Sequence, residues 1–151
     1  MKVAVIGHRL VEVNDIVKLA ILRQIAELAE EGADRFCFTF GGTLTDICLT
    51  AIAELKQYYD IKRVYYRAIY PDDKDPVVNY ILNLWVKEYF DEVVGKVGVD
   101  AVNKKDRFMI DDCDVLLTLY APNIKNSATA CAVAYAKKKG KRIINVLNLV
   151  K

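Results

Sequence analysis

The stretch Phe36–Asp46, FCFTFGGTLTD, runs an apolar, aromatic strand into a glycine pair and then straight into a helix. Glycines at such a junction let backbone come close to a ligand, and the free amides of an opening helical turn point at any anion placed there. A compact strand that turns directly into a helix is half of a βαβ unit. The same alternation continues on both sides of it.

Upstream, Val3–Ile6 is a continuous apolar run that ends in Gly7, His8 and Arg9, the pattern of a buried parallel strand followed by a loop. From Asn14, placed as an N-cap, apolar residues recur at Ile16, Leu19, Ala20, Ile25, Ala26, Leu28 and Ala29, which predicts a helix that Gly32 stops. The strand at Arg35–Phe40 then feeds a second helix from about Leu44 to Tyr58.

Downstream, Lys62–Ile69 reads as a third strand ended by Pro71. Pro76, with Asp75 as cap, opens a third helix whose apolar face holds Val77, Ile81, Leu84, Trp85 and Phe90, and Gly95 and Gly98 bracket its end. Val97–Val102 reads as a short strand, and the polar segment Asn103–Arg107, ahead of Phe108, Met109 and Ile110, as a short helix. Cys113–Tyr120 is a strong buried strand. The helix after it starts at Asn126 or Ser127 and runs to Lys139 and Gly140, and Ile143–Leu147 is the last strand.

Strands alternating with helices at short spacing predict right-handed βαβ units. The expected fold is one Rossmann-like α/β domain over residues 1–151, a mostly parallel sheet with helices on both faces. A chain of 151 residues can bury roughly 68–70% of its unfolded surface around one core. Hydrophobic residues at 54% and charged residues at 28% place it among folded globular proteins.

A formal net charge of +2 is too small to indicate nucleic acid or an acidic membrane surface as partner. The four cysteines, 37, 48, 113 and 131, form no CxxC pair and none lies near His8, the single histidine, so no metal site is expected. Each lies in an apolar run, which predicts buried, reduced thiols and a cytoplasmic protein. The N-terminal apolar run is too short for a signal peptide, and no stretch approaches a membrane span.

In a parallel α/β sheet, ligands bind beyond the carboxyl ends of the strands, where successive connections diverge to opposite faces. Three loops qualify: Gly7-His8-Arg9, Gly41–Asp46, and the polar turn Asn123–Thr129. Arg9 offers a planar fork for phosphate, the amides near Gly42, Thr43 and Leu44 offer a helix start, and Thr45, Ser127 and Thr129 offer hydroxyls. Asp46 lies in a first helical turn, where a carboxylate serves equally as a dipole partner or as a ligand contact. The dinucleotide fingerprint GxGxxG is absent after the first strand, and GxxxxGK[ST] is absent throughout.

The bland readings account for other features. Asp72, Asp73 and Asp75 fit a solvated turn and helix cap, and Lys137–Lys139 with Lys141 and Arg142 fit a solvated helix terminus. The tyrosines at 58, 59, 65, 66 and 80, with Trp85, fit core and rim packing, base stacking or a subunit interface. The helix around Trp85 and Tyr89 is the candidate surface for a homodimer.

Four segments, GHR at 7–9, GGTLTD at 41–46, MIDDCDVLL at 109–117 and SATACAVAYAKKKGK at 127–141, resemble the SLOG superfamily of Rossmann-like nucleotide-ligand domains, and within it the YpsA-like branch. The resemblance covers nearly the whole chain. It implies a glycine-rich motif with a following aspartate at Gly41, Gly42 and Asp46, and a residue pair opening the penultimate helix at Ala128 and Thr129. It also draws Asp111 into the set of candidate contacts. Thr45 and Ala128 stand where the family places glycine, and Lys105-Asp106 stands where an Arg-Asn pair often occurs.

The related cytokinin-activating phosphoribohydrolases carry a glutamate after their PGGxGT motif, whereas Ala130, Cys131 and Ala132 follow Thr129 here. The expected function is therefore binding or sensing of a nucleotide or nucleotide-derived small molecule. An alternative is cleavage or transfer at an N-glycosidic bond, with Asp46 or Asp111 as carboxylate and His8 as proton donor. A third is an interaction protein with a degenerate pocket.

Overall fold

In the computed structural model the strand-helix alternation persists from end to end. The structure describes residues 1–8, 13–39, 42–69, 76–97, 101–121, 123–124 and 127–150, with the backbone alone at 68–69, 76–80, 82, 96–97 and 101–105. Among these, the strands are β1 (Lys2–Gly7), β2 (Arg35–Phe38), β3 (Lys62–Ile69), β4 (Glu92–Val97), β5 (Val115–Leu119) and β6 (Arg142–Asn145). The helices are α1 (Asp15–Glu30), α2 (Thr43–Leu55), α3 (Pro76–Tyr89), α4 (Ala101–Asp112) and α5 (Ala128–Lys138), and a 3-10 turn, Val146–Asn148, follows β6.

The strands form one sheet in the order β4-β3-β2-β1-β5-β6, with every neighbouring pair parallel. This is the Rossmann-like α/β architecture expected from the sequence. Alternation along each strand sends successive side chains to opposite faces. Val3, Val5, Phe36, Phe38, Leu117 and Leu119 pack with Ile21, Ile25 and Leu28 of α1 and Leu44, Cys48 and Ile52 of α2. Ala4, Ile6, Cys37 and Leu116 point the other way, onto Met109 and Ile110 of α4 and Ala132, Val133 and Ala136 of α5.

Local signals explain the helix ends. The Asn14 side chain accepts the Val17 N–H at 2.9 Å, and Ser127 accepts that of Ala130 at 3.0 Å, each satisfying an amide that the helix leaves open. After α1, Gly32 takes φ of 106°, a left-handed value that suits glycine.

Several boundaries differ from the sequence expectation. The third helix ends at Tyr89, and the residues assigned to its tail form edge strand β4. Val93 and Val94 supply the β-propensity there, and Asp91 anchors the entry by donating its N–H to Arg63 O at 2.8 Å. Of the strand expected at 97–102, Val97 instead ends β4 and Ala101 and Val102 open α4, a full helix of 12 residues, while 98–100 lie outside the described residues. The second strand stops at Phe38, and the last gives way to the 3-10 turn at Val146 because the Asn145 side chain accepts the Leu147 N–H at 3.2 Å. Expectations placed on Phe40, Pro71, Asp72, Asp73, Asp75, Gly98 and Asn126 lie outside the described residues.

The apolar stripes are also narrower than their spacing indicates. Ile16 is 68% exposed and Leu19 47%, so α1 is buried mainly through Val17, Ile21, Ile25 and Leu28. Ile81 and Leu84 of α3 likewise face solvent. Cys37, Cys48 and Cys113 are buried as expected, whereas Cys131 is exposed. It lies on the outward side of α5, between the buried Thr129 and Ala132 positions.

Candidate functional site

From β1 the chain steps outward through β2, β3 and β4, then returns to place β5 on the other side of β1. The connections after β1 and after β5 therefore leave toward opposite faces, and the carboxyl ends of these two strands border a topological switch point. β1 ends there at Gly7 and His8, and β5 at Leu119 to Ala121.

Gly7 fixes how closely the next layer approaches. A Cβ built on it would lie 2.8 Å from Leu44 Cδ2, 3.2 Å from Leu44 Cβ and 3.2 Å from Leu119 Cβ. Leu44 is the second residue of α2, so the bare backbone of Gly7 lets the opening turn of α2 rest on the end of β1. Gly42 makes the preceding corner with φ of 138°, in the range that side-chain-bearing residues rarely adopt. Its carbonyl accepts the Asp46 N–H at 2.9 Å to start the helix, and it brings no side chain to cap it. The N-terminal ends of α2 and α5 thus both lie at the carboxyl side of the sheet, with partial positive charge at each.

The two strand ends are tied by side chains. The His8 N–H donates to Leu119 O at 3.3 Å, and His8 Nε2 accepts the Ala121 N–H at 3.1 Å. A backbone amide can only donate, so Nε2 is the unprotonated nitrogen of this nearly buried ring. From the other side, Asn145 accepts the Tyr120 N–H at 3.1 Å and donates Nδ2–H to Tyr120 O at 2.8 Å. A side-chain amide thereby extends the β5–β6 pairing by one step past the strand. Tyr120 and Ala121 are consequently held from both neighbouring strands.

Of the residues singled out from the sequence, Gly7, His8, Gly42, Thr43, Thr45, Ser127 and Thr129 all lie at this end of the sheet or in the helical turns that open there. Thr45 and Thr129 are buried, and Ser127 is occupied as the α5 cap. Arg9 and Gly41 lie outside the described residues.

Asp46 and Asp111 are placed elsewhere. Asp46 follows Leu44 by about 200° around the helix, so its side chain leaves α2 on the side away from Gly7. It lines a cleft of about 330 Å³ with Leu49, Thr50, Trp85 and Tyr89, between α2 and α3. Asp111 is exposed near the end of α4, which leads into the amino end of β5, at the opposite edge of the sheet from the switch point. The Tyr135 hydroxyl donates to its two oxygens at 2.8 and 2.9 Å, and that hydrogen bond raises the Tyr135 pKa. A larger groove of about 550 Å³ lies on the outer side of α1, lined by Ile16, Leu19, Arg23, Gln24, Leu149 and Val150 among others.

Asn145 and Ala121 are the residues that sequence reasoning missed. An asparagine at the end of an apolar run was the available signal for Asn145, since such a residue commonly ends a strand by bonding nearby backbone.

No family model and no curated protein matches the chain. Among solved structures, the chain is similar to the molybdenum cofactor carrier protein of Chlamydomonas reinhardtii, with a TM-score of 0.57 at 13% identity. The match covers 94% of this chain and 73% of that one. At this identity the likeness is one of fold, and it supports the Rossmann-like architecture. No helix among the described residues is long and apolar enough to cross a membrane.

Proposed function

We propose that this protein binds a small nucleotide or nucleotide-derived molecule in the crevice at the carboxyl ends of β1 and β5. The observation that carries the reading is the contact of Gly7 with Leu44, which brings the opening turn of α2 onto the switch point. An anionic group there would meet the positive end of α2, and the end of α5 lies across the same crevice. Arg9, next in sequence to the anchored His8, supplies a guanidinium for phosphate, Thr43 supplies a hydroxyl, and Ser127, whose oxygen already accepts the Ala130 N–H, keeps its own O–H to donate.

His8 in this reading positions the loop rather than moving a proton, because its Nε2 already accepts from Ala121. Asp46, in the cleft beside Trp85 and Tyr89, and Asp111, near the amino end of β5, stand outside this ligand set. The resemblance of the four sequence segments to the SLOG superfamily, YpsA-like branch, supports a nucleotide-type ligand. The cofactor-carrying neighbour supports a small-molecule cargo, and the molybdenum cofactor therefore joins the candidates.

Calorimetric titration with AMP, ADP-ribose, NAD and cyclic nucleotides tests the proposal. Saturable binding of at least one ligand, weakened in Arg9→Ala, is the expected result. Absence of binding across the panel, or binding indifferent to Arg9→Ala, would overturn it.

A further inference from the structure

We infer that the cleft between α2 and α3 is a second binding site, which takes a small alkylammonium cation against Trp85 and Tyr89 with Asp46 as its counter-charge. The inference is independent of the crevice at β1 and β5. Among the described residues the cleft of about 330 Å³ is lined by Asp46, Leu49, Thr50, Trp85 and Tyr89, and Asp46 is the charged one of these. No side-chain hydrogen bond or ion pair engages that carboxylate among the described residues; Asp46 acts as acceptor only through its backbone oxygen, to the Thr50 hydroxyl at 3.0 Å.

The aromatic wall is fixed from within. The Trp85 indole meets Tyr65 edge-to-face at 5.5 Å and 89°, and Phe90 at 5.0 Å and 72°. Tyr89 stands beside it with ring centroids 6.4 Å apart. Tyr65 and Phe90 are buried, whereas Trp85 is only partly covered and Tyr89 is exposed. Trp85 is therefore held in place from within, and both rings are reachable.

A cation over the face of a tryptophan or tyrosine is attracted by the ring quadrupole, and an adjacent carboxylate adds a direct charge interaction. The apolar surface of the two rings selects among cations. A strongly hydrated sodium ion loses its water at high cost against such a surface, whereas a methylated ammonium head is weakly hydrated and buries its methyl groups there. An anion is opposed by Asp46, and a neutral ligand of the same shape lacks both electrostatic contributions.

Trp85 is the chain's single tryptophan, so its fluorescence reports on this cleft specifically. The experiment titrates the full chain with choline, with its neutral isostere 3,3-dimethylbutan-1-ol, and with sodium chloride at matched ionic strength. Choline is expected to give a saturable change in Trp85 emission in the millimolar range, up to about 100 mM, that neither control reproduces. Asp46→Asn and Tyr89→Leu, each checked for a native circular dichroism spectrum, should weaken that response by about fivefold and about threefold respectively. A choline response that does not saturate, equals that of the isostere, or persists at full strength in Asp46→Asn overturns the proposal. If either variant does not fold, the comparison of choline with its isostere on the native chain decides alone.

Discussion

Gly7 and Leu44 touch so closely that no side chain fits between them: a Cβ on Gly7 would stand 2.8 Å from Leu44 Cδ2 and 3.2 Å from Leu44 Cβ. The flexible tip of Leu44 can swing aside, but its Cβ and the Leu119 Cβ, also at 3.2 Å, are fixed to backbone. The contact therefore sets the position of the α2 start relative to β1.

Gly7→Ala should force α2 away from β1 and destabilise the fold by about 1–3 kcal/mol, the usual range for overpacking a core. Urea denaturation of the native chain and the variant measures this. A variant as stable as the native protein would show that the α2 start is free to shift.

Asn145→Ala removes both side-chain bonds to Tyr120 and the one to Leu147. The Tyr120 N–H and C=O are left without those partners, at an expected cost of about 1–3 kcal/mol. Hydrogen exchange provides the local readout: the Tyr120 amide should lose protection in the variant while that of Leu117, in the middle of β5, keeps it up to the lowered global stability. Unchanged protection at Tyr120 would contradict the assignment.

Much of this architecture is legible from residue patterns because its causes are local. The apolar run Val3–Ile6, the caps Asn14 and Ser127 and the stop at Gly32 each act within a few residues, and each falls where expected. β4 was not legible, because an edge strand paired on one side only carries Glu92, Gly95 and Lys96 among its valines and loses the continuous apolar signal. The reason for Gly7 being glycine lies on α2, and the partner of Asn145 lies 25 residues away on the β5 loop. Ile16, Leu19, Ile81 and Leu84 kept a helical spacing without burial, since the sheet covers only one stripe of each helix.

The thiols should divide sharply. Burial pushes the Cys48 pKa up, and a hydrogen bond with Cys37 together with burial does the same for Cys113, which keeps both as unreactive thiols. Cys131 is exposed. Ellman's reagent should modify only Cys131 rapidly in the folded protein and all four cysteines in guanidinium, and Cys131→Ser should abolish the rapid phase. Rapid modification of a second thiol would contradict the burial of the other three.

Asp91 gives the acid limb of stability. Burial raises its pKa, but hydrogen bonds from Lys56 Nζ at 2.6 Å and from the Arg63 N–H at 2.9 Å outweigh this, and the net shift is downward. A carboxylate whose folded pKa is depressed stabilises fully above its unfolded value, near 3.9, and loses that contribution as pH falls through the folded value. Asp91→Asn should therefore lower stability by about 1 kcal/mol at pH ~7, and the gap should narrow once the pH falls below the unfolded value and close as it passes the folded one. Denaturant midpoints of both proteins across this range measure it, and a gap independent of pH would contradict the ionic account.

The crevice itself is tested most directly by amide chemical-shift mapping with a nucleotide that binds in calorimetry. The shifted resonances should cluster at Gly7, His8, Gly42, Thr43, Leu44 and Ser127–Ala130, the backbone around the β1 and β5 ends. Shifts centred instead on Ile16, Leu19 and Leu149 in the α1 groove, or on Trp85 and Tyr89, would place the ligand elsewhere and contradict the proposal.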